Sequence, residues 1–331
     1  MNQILKKGII NNILAKIPAH LNPVDFLQDA LNLSKESVYR RIKGEVSFSL
    51  TDIIKLSSVL SFTLEEIITD NDEASDPPPV TFNFRSNEML EPQKTFSEIL
   101  LAYVTDKEKL TKAKNVEVTV ASNRLMILTS VYFDHLFKFY YYKWTQQTQQ
   151  VSLNFSLSDI VLPQDIIELR EKLKTVSTVG LHTYILDINF LKSTIQAIEY
   201  YYKRKLISED EVVLLQKDLY AFIDIMEYTI KQKTDFGNVT NIYLSTAQIE
   251  SSGLYCKCDD EEKISLWISF GVTISSKSPE ICKTYKSWLN SLKKYSSLIT
   301  GCNEALQTEF IDQQRNFIKN ITTDNSHAAN E

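Results

Sequence analysis

The sequence predicts a helix-rich α+β protein. It consists of a small all-α domain followed by a large helical domain with a small antiparallel sheet. Three observations lead to this prediction. Glycine is scarce, with seven among 331 residues, and long stretches lack any helix breaker. Apolar residues near the start of the chain recur at helical spacing. Partial alternation, which is typical of strands, is confined to a few short segments further on.

Composition excludes several classes of protein. With 43% hydrophobic and 24% charged residues, the chain is suited to packing a globular core. No apolar run approaches the ~18–20 residues that a membrane span needs. The first residues lack the apolar segment of a signal peptide. We therefore expect a cytoplasmic protein with no membrane contact. The Gly-rich phosphate loops of Rossmann and P-loop enzymes do not occur in the sequence.

One domain boundary is evident between residues 65 and 80. Six acidic residues and no basic residue lie between Glu65 and Asp76, and Pro77, Pro78 and Pro79 follow. An acidic stretch that runs into polyproline is typical of a semi-rigid spacer. We therefore predict a first domain at 1–70, a linker at 71–80, a large domain at 81–321 and a frayed tail at 322–331.

Charge separates the two domains. The chain has a net charge of −6, whereas residues 1–48 carry seven Lys and Arg against four Asp and Glu, a net charge of +3. The basic patch therefore lies within the first domain.

Five short helices are predicted in the first domain. Apolar residues at helical spacing mark the first helix, at Ile9, Ile10, Ile13 and Ile17. Capping residues mark where the next four begin. The predicted caps are Asn22 before Pro23, Ser34, Ser49, and Thr63 paired with Glu66. Asn32 can adopt the left-handed conformation of a tight turn, and Gly44 is typical of a helix end.

The second and third of these helices form a helix-turn-helix motif. Val38 and Ile42 are four residues apart, so both side chains point into the bundle. The first turn of the third helix, where base edges are reached in a major groove, holds Lys35, Glu36 and Ser37. Further along the same helix, Arg40, Arg41 and Lys43 are placed to meet phosphates or bases.

The stretch from Leu33 to Glu45 resembles the λ-repressor/Cro-like (XRE-type) helix-turn-helix domains. The resemblance continues through Phe48–Leu56 and Leu64–Ile68, and it covers about a fifth of the chain. It implies a five-helix bundle around one small core, in which the third helix reads DNA. By this resemblance Lys35, Glu36 and Ser37 fall at base-reading positions, and Arg40 falls near a base or a phosphate. Asn32 stands where the family usually has a turn glycine.

The large domain is predicted to combine helices with a few strands. The predicted helices are 96–112, 128–147, 163–173, 191–205, 209–233, 279–299 and 303–321. The predicted strands are 116–120, 239–249, 253–257 and 264–274. The last three strands indicate an antiparallel meander with one covered face. The aromatic runs at 139–142 and 200–202 favour core packing or a dimer contact over base stacking, because consecutive helical residues point in different directions.

Catalytic and metal-binding patterns are not apparent. Cys256 and Cys258 form C-x-C rather than C-x-x-C, and we interpret them as two thiols on one face of a strand. The four histidines are scattered along the chain. Asp134, Asp218 and Asp224 are interpreted as residues of solvated helix faces. We therefore expect no metal, no cofactor and no enzyme activity.

The sequence thus predicts a sequence-specific DNA-binding transcriptional regulator that binds double-stranded DNA as a homodimer. Its large domain would dimerise and sense a small-molecule or protein effector. The predicted DNA-binding residues are Lys35, Glu36, Ser37, Arg40, Arg41 and Lys43. The alternative is a ligand-binding or adaptor protein whose degenerate helix-turn-helix contacts another protein. Salt dependence separates the two hypotheses, because DNA affinity falls steeply as salt concentration rises.

Overall fold

The chain forms two compact units, Met1–Phe82 and Asn83–Glu331. A computed structural model describes residues 3–18, 21–60, 62, 83–84, 92–148, 151–176, 178–232, 234–235, 238–268 and 273–321. The predicted linker at 71–80, the predicted helix Leu64–Ile68 and the tail at 322–331 lie outside the described residues.

The described part of the first unit is helical. Its helices are α1 (Gln3–Lys16), α2 (Pro23–Leu31), α3 (Lys35–Ile42) and α4 (Leu50–Leu60). They enclose one small core, whose buried members are Ile13, Ile17, Leu27, Leu31, Val38, Leu56 and Phe62. The predicted five-helix bundle is not shown: the structure has these four helices, and the fifth predicted helix falls outside the part of the chain that it describes.

The second unit contains eight helices and nine strands among its described residues. The helices are α5 (Pro92–Lys112), α6 (Ile127–Ser130), α7 (Asp134–Thr148), α8 (Gln164–Thr175), α9 (Lys192–Lys203), α10 (Glu209–Lys231), α11 (Pro279–Lys294) and α12 (Glu304–Lys319). The strands are β1 (Asn83–Phe84), β2 (Val116–Ser122), β3 (Leu181–Asp187), β4 (Thr234–Asp235), β5 (Asn238–Ser245), β6 (Gly253–Cys258), β7 (Glu261–Trp267), β8 (Thr273–Ser276) and β9 (Ser296–Leu298).

The prediction of a small antiparallel sheet is wrong. The strands form one mixed sheet in the order β1-β8-β7-β6-β2-β3-β5-β4, and β9 also pairs with β5. Strand β3 pairs in parallel with β2 and β5. The sequence analysis missed β3, although it lies between these two strands. Parallel strands need a long crossover connection, so the paired residues lie far apart in the sequence. Local alternation therefore did not reveal this pairing.

Helices cover both faces of the sheet, and not the single face that was predicted. On one face, Val118 and Val120 pack with Leu110, which lies in α5. Residues of the opposite face, including Ile185 and Tyr255, pack with buried residues of α11. Two helical layers therefore enclose the sheet.

The aromatic segment predicted as one helix is divided into α6 and α7. Most of α7 is buried, including the run Phe139–Tyr142 and Trp144. Phe96 of α5 makes edge contacts with Phe137, Tyr141 and Trp144. The interpretation of the first aromatic run as core is confirmed, because buried rings cannot stack on bases.

The three aspartates interpreted as residues of solvated helix faces all have partners. Asp218 accepts hydrogen bonds from the backbone N–H groups of His135 and Leu136, at 2.8 and 2.9 Å, and so caps the start of α7. Asp134 pairs with Arg170, and Asp224 pairs with Arg315. The interpretation is therefore wrong for Asp218, whose carboxylate has a structural role.

Within the described part of the chain, no helix is both long enough and apolar enough to cross a bilayer.

Candidate nucleic-acid interface

The turn before α3 is built from the residues that the sequence analysis singled out. The Asn22 side chain accepts hydrogen bonds from the N–H groups of Val24 and Asp25, at 2.9 and 3.4 Å, and Pro23 begins α2. At the end of α2, Asn32 has φ 55° and ψ 51°, and its N–H donates to the Gln28 carbonyl. The predicted left-handed residue is confirmed, and asparagine tolerates this conformation better than most side chains.

Both ends of α3 are defined by local hydrogen bonds. Ser34 Oγ accepts from the Ser37 N–H at 3.3 Å and donates to Ser37 Oγ at 3.0 Å. Beyond the helix, Gly44 has φ 75°, and the Val46 N–H donates to the Arg40 carbonyl at 3.1 Å. The predicted cap and the predicted helix end are both confirmed, so local sequence determines the length of α3.

The inner side of α3 anchors the helix in the core of the first unit. Val38 is buried, and Ile42 packs against the same core. This confirms the predicted inward direction of both side chains. With its inner side fixed, the helix presents the opposite side to solvent.

The outer side of α3 presents a continuous polar surface, which we call the outer face. Glu36, Tyr39, Arg40 and Lys43 are exposed and follow the spacing of residues that share one side of a helix. Together with Glu45 they line an open depression of about 720 Å³. Lys35 is also exposed, in the first turn. Of the six predicted residues, the structure thus brings Glu36, Arg40 and Lys43 together.

The exposed basic side chains of α3 are weakly neutralised. Arg40 Nε lies 3.6 Å from Glu45 Oε2, and both side chains are more than half exposed. Neither Lys35 nor Lys43 has an ion-pair partner among the described residues. Such cations remain available to a polyanion.

Arg41 differs from its neighbour Arg40. Its side chain is only 16% exposed, and its Nε donates to Asp52 Oδ2 at 3.1 Å. Its Nη1 also donates to the Ser37 carbonyl at 3.4 Å. The structure therefore places Arg41 between α3 and the start of α4, away from the outer face.

Asp52 links the two helices. It accepts from the Ser49 N–H at 2.9 Å, and its own N–H donates to Ser49 Oγ at 3.1 Å, so α4 begins with a reciprocal cap. Burial alone would raise the pKa of Asp52. The hydrogen bonds from Ser49 and the Arg41 guanidinium outweigh burial and hold the pKa below its ordinary value. Asp52 is therefore a stable anion that orients α3 against α4.

Three features of the site were not anticipated from the sequence. Tyr39 is 44% exposed and belongs to the outer face, which its spacing from Glu36 and Lys43 could have indicated. Ser37 was predicted to read bases, but it is half-buried and engaged with Ser34. The pairing of Arg41 with Asp52 spans eleven residues, and nothing in the local pattern indicated it.

Metal binding and thiol reactivity are the kinds of chemistry to consider for the second unit and its C-x-C motif. The described residues contain no cluster of three His, Cys, Asp or Glu side chains that could hold a metal ion. Cys256 and Cys258 are free thiols on β6. Burial raises the pKa of Cys256 to about 11 and also raises the pKa of Cys258. Both sulfurs are therefore protonated near neutral pH and are poor nucleophiles.

Comparison with known proteins yields no matching family model, no matching curated protein and no matching solved structure.

Proposed function

We propose that the first unit binds double-stranded DNA in the major groove through the outer face of α3, and that the chain is a sequence-specific transcriptional regulator. One observation carries this proposal. Three exposed basic residues, Lys35, Arg40 and Lys43, lie on a helix whose opposite side is anchored in the core. Such an anchored helix can enter a groove without rearrangement, because its length and direction are already set.

The roles of the side chains follow from their positions on the helix. Lys35 and Glu36 lie in the first turn, which is the part of a recognition helix that meets base edges. Arg40 and Lys43 lie one and two turns later, and they contact phosphates or the edges of guanines. Arg41 is a positioning residue, because its side chain pairs with Asp52 and does not belong to the outer face.

Dimerisation is part of the proposal. A single module of this size makes few phosphate contacts, so two modules on two half-sites are needed for useful affinity. We assign the dimer contact, together with the sensing of a small-molecule or protein effector, to the second unit. The second unit is much larger than dimerisation alone requires.

The test begins with selection of genomic DNA fragments by the full chain. Affinity for the selected site is then measured by fluorescence anisotropy between 50 and 200 mM salt. We expect Lys35→Ala and Arg40→Ala each to weaken binding by at least about tenfold if the side chain reads a base. A phosphate contact would lower the salt slope by about one. Lys112→Ala removes one exposed charge from α5 and is the matched control.

Two results would contradict the proposal. One is a folded wild-type protein that selects no site. The other is unchanged affinity and salt slope in both variants. The adaptor hypothesis would then lead, and the outer face of α3 would be tested as a protein contact.

A further inference from the structure

Helix α10 has apolar residues on both sides. Its inner side contributes Val212, Leu215, Leu219, Phe222, Ile223, Met226 and Ile230 to the core. Its outer side also carries large apolar side chains, with Val213, Ile225 and Tyr228 each more than half exposed and Leu214 37% exposed. Exposed apolar residues that share one side of a helix are typical of a contact surface.

The exposed residues form a stripe along α10. At 100° per residue, Leu214, Ile225 and Tyr228 lie within about 40° of a line through Ala221, which is itself exposed. The small side chain of Ala221 stands near the middle of the stripe and allows close approach of a second helix. We call these four residues the α10 stripe.

Charged residues beside the α10 stripe have a self-complementary order. Lys217 precedes Ala221 by about 6 Å along the axis, and Asp224 follows it by about 4.5 Å on the same side of the stripe. Asp210 and Lys231 lie further out, at about 16 and 15 Å, with the signs reversed. All four side chains are exposed, and within the same chain Asp224 also pairs with Arg315 and Lys231 with Glu227.

We propose that the α10 stripe is the contact for a second copy of this chain, with the two α10 helices antiparallel around a two-fold axis at Ala221. Residues on the same side of the stripe then meet at opposite heights. Lys217 faces Asp224 of the second copy, and Asp210 faces Lys231 of the second copy. Each attractive contact occurs twice by symmetry.

The apolar residues agree with the same arrangement. Leu214 and Tyr228 are each seven residues from Ala221, so Tyr228 of one copy packs beside Val213 and Leu214 of the other. A parallel pair, related by a two-fold axis along the helices, would bring opposite sides of the stripe together, so Lys217 would not face Asp224 of the second copy. The Lys217–Asp224 and Asp210–Lys231 contacts therefore form only in the antiparallel arrangement.

This inference rests on the proposed function only in that it supplies the dimer which two DNA half-sites require. Its first test needs no DNA. Sedimentation equilibrium of the full chain, over protein concentrations from about 1 to 100 μM, should show a dimer at twice the mass of one chain. A monomer throughout this range would overturn the inference.

Charge variants test the arrangement of the two helices. Lys217→Asp should weaken dimerisation at least about tenfold, because two like-charge contacts replace two attractive ones. The double variant Lys217→Asp with Asp224→Lys should restore the dimer. A folded double variant that stays as weak as the single variant would overturn the antiparallel arrangement.

An apolar variant tests the stripe itself. Ile225→Asp should weaken the dimer without loss of helix by circular dichroism, because the Ile225 side chain is already more than half exposed. Val161→Asp is the matched control, since Val161 is 84% exposed and lies outside α10. A dimer that survives both Lys217→Asp and Ile225→Asp would place the contact elsewhere and overturn the inference.

DNA binding distinguishes failure of this inference from failure of the proposed function. Lys217→Asp should weaken binding to DNA with two half-sites and leave binding to one half-site unchanged. A wild-type dimer that binds no DNA would retain the α10 contact and contradict the regulator. A DNA-binding protein that is monomeric in solution would support the regulator and contradict the α10 contact.

Discussion

The two units use their basic side chains in different ways. Many of the second unit's lysines and arginines lie beside carboxylates of other elements: Lys109 and Lys277 beside Glu261, Lys172 beside Glu108, Lys263 beside Asp106, Lys286 beside Glu117 and Arg315 beside Asp224 and Glu227. On α3, Lys35 and Lys43 have no such partner among the described residues, and Arg40 lies 3.6 Å from Glu45. Charge in the second unit joins structural elements, whereas the exposed charge on α3 is available to a ligand.

Three arginines range from a buried structural role to an exposed position. The exposed fraction of the side chain rises from 8% for Arg170 to 16% for Arg41 and 57% for Arg40. The cost of removing a charged group rises as it becomes more buried, because its partners are then left without hydrogen bonds and without water. The three positions therefore predict a graded series of stability effects.

Arg170→Ala should have the largest effect. Arg170 Nε donates to the Val131 carbonyl at 2.8 Å, its Nη2 donates to Asp134 at 2.6 Å, and its guanidinium packs on the Phe137 ring. Losing these contacts should lower the free energy of unfolding by about 2–4 kcal/mol. All three tryptophans belong to the second unit, so tryptophan fluorescence during urea unfolding reports this unit selectively.

The control for Arg170 is its ion-pair partner. The Asp134 side chain is 77% exposed, so Asp134→Asn should cost less than about 1 kcal/mol. Equal losses in the two variants would mean that the ion pair, and not the buried carbonyl contact and packing, stabilises this region.

Arg41→Ala should have an intermediate effect, confined to the first unit. Asp52 would lose its cation while remaining largely buried, and we expect a loss of about 1–2 kcal/mol. Arg40→Ala, one residue away, should change stability by less than about 0.5 kcal/mol. Far-UV circular dichroism follows both units and tryptophan fluorescence follows only the second, so the two signals together measure the effect of each variant on the first unit. Equal effects would contradict the assignment of Arg41 as the positioning residue.

Acid unfolding of the first unit should depend on Arg41. The pKa of Asp52 is lower in the folded state than its ordinary value. Its stabilising contribution is thus complete above the unfolded-state pKa of about 3.9 and disappears as pH falls through the lower folded value. Arg41→Ala raises the folded pKa, so the acid transition should move to higher pH. The check is circular dichroism from pH 6 to pH 2 in approximate steps of half a unit. An unmoved transition would exclude Arg41 as a cause of the lowered pKa.

Glu45→Gln should have the smallest effect. It removes a carboxylate beside Arg40 without touching the core, so stability should not change measurably. If the outer face binds DNA, affinity should rise about two- to fivefold, because Arg40 no longer has a competing anion. Glu280→Gln removes one exposed carboxylate from α11 and is the control. Equal increases in both variants would indicate only a change in net charge.

The comparison of the two units also explains what could be predicted. In the first unit, the caps at Asn22, Ser34 and Ser49, the left-handed Asn32 and the helix end at Gly44 all depend on neighbours within a few residues. The same is true of Ser208 in the second unit, which caps α10 with Glu211. These features are local, so the sequence pattern reveals them.

Contacts between distant residues could not be predicted in this way. Strand β3 carries no clear alternation, and its position between β2 and β5 depends on helices that cross over from one strand to the next. Asp218 caps α7 from more than eighty residues away. The separate roles of Arg40 and Arg41 depend on where α4 packs. The pattern of residues along the sequence does not indicate which distant residues become neighbours.

Local chemistry along the chain therefore determined where most helices begin and end, which side of α3 is apolar and where the basic patch lies. The tertiary structure decided the order of the sheet, the covering of both its faces, the separation of Arg41 from Arg40 and the exposure of an apolar stripe on α10. The physical reason is the distance along the chain over which each interaction acts. Caps, turns and helical periodicity act over three or four residues, whereas burial and ion pairing depend on which distant segments pack together.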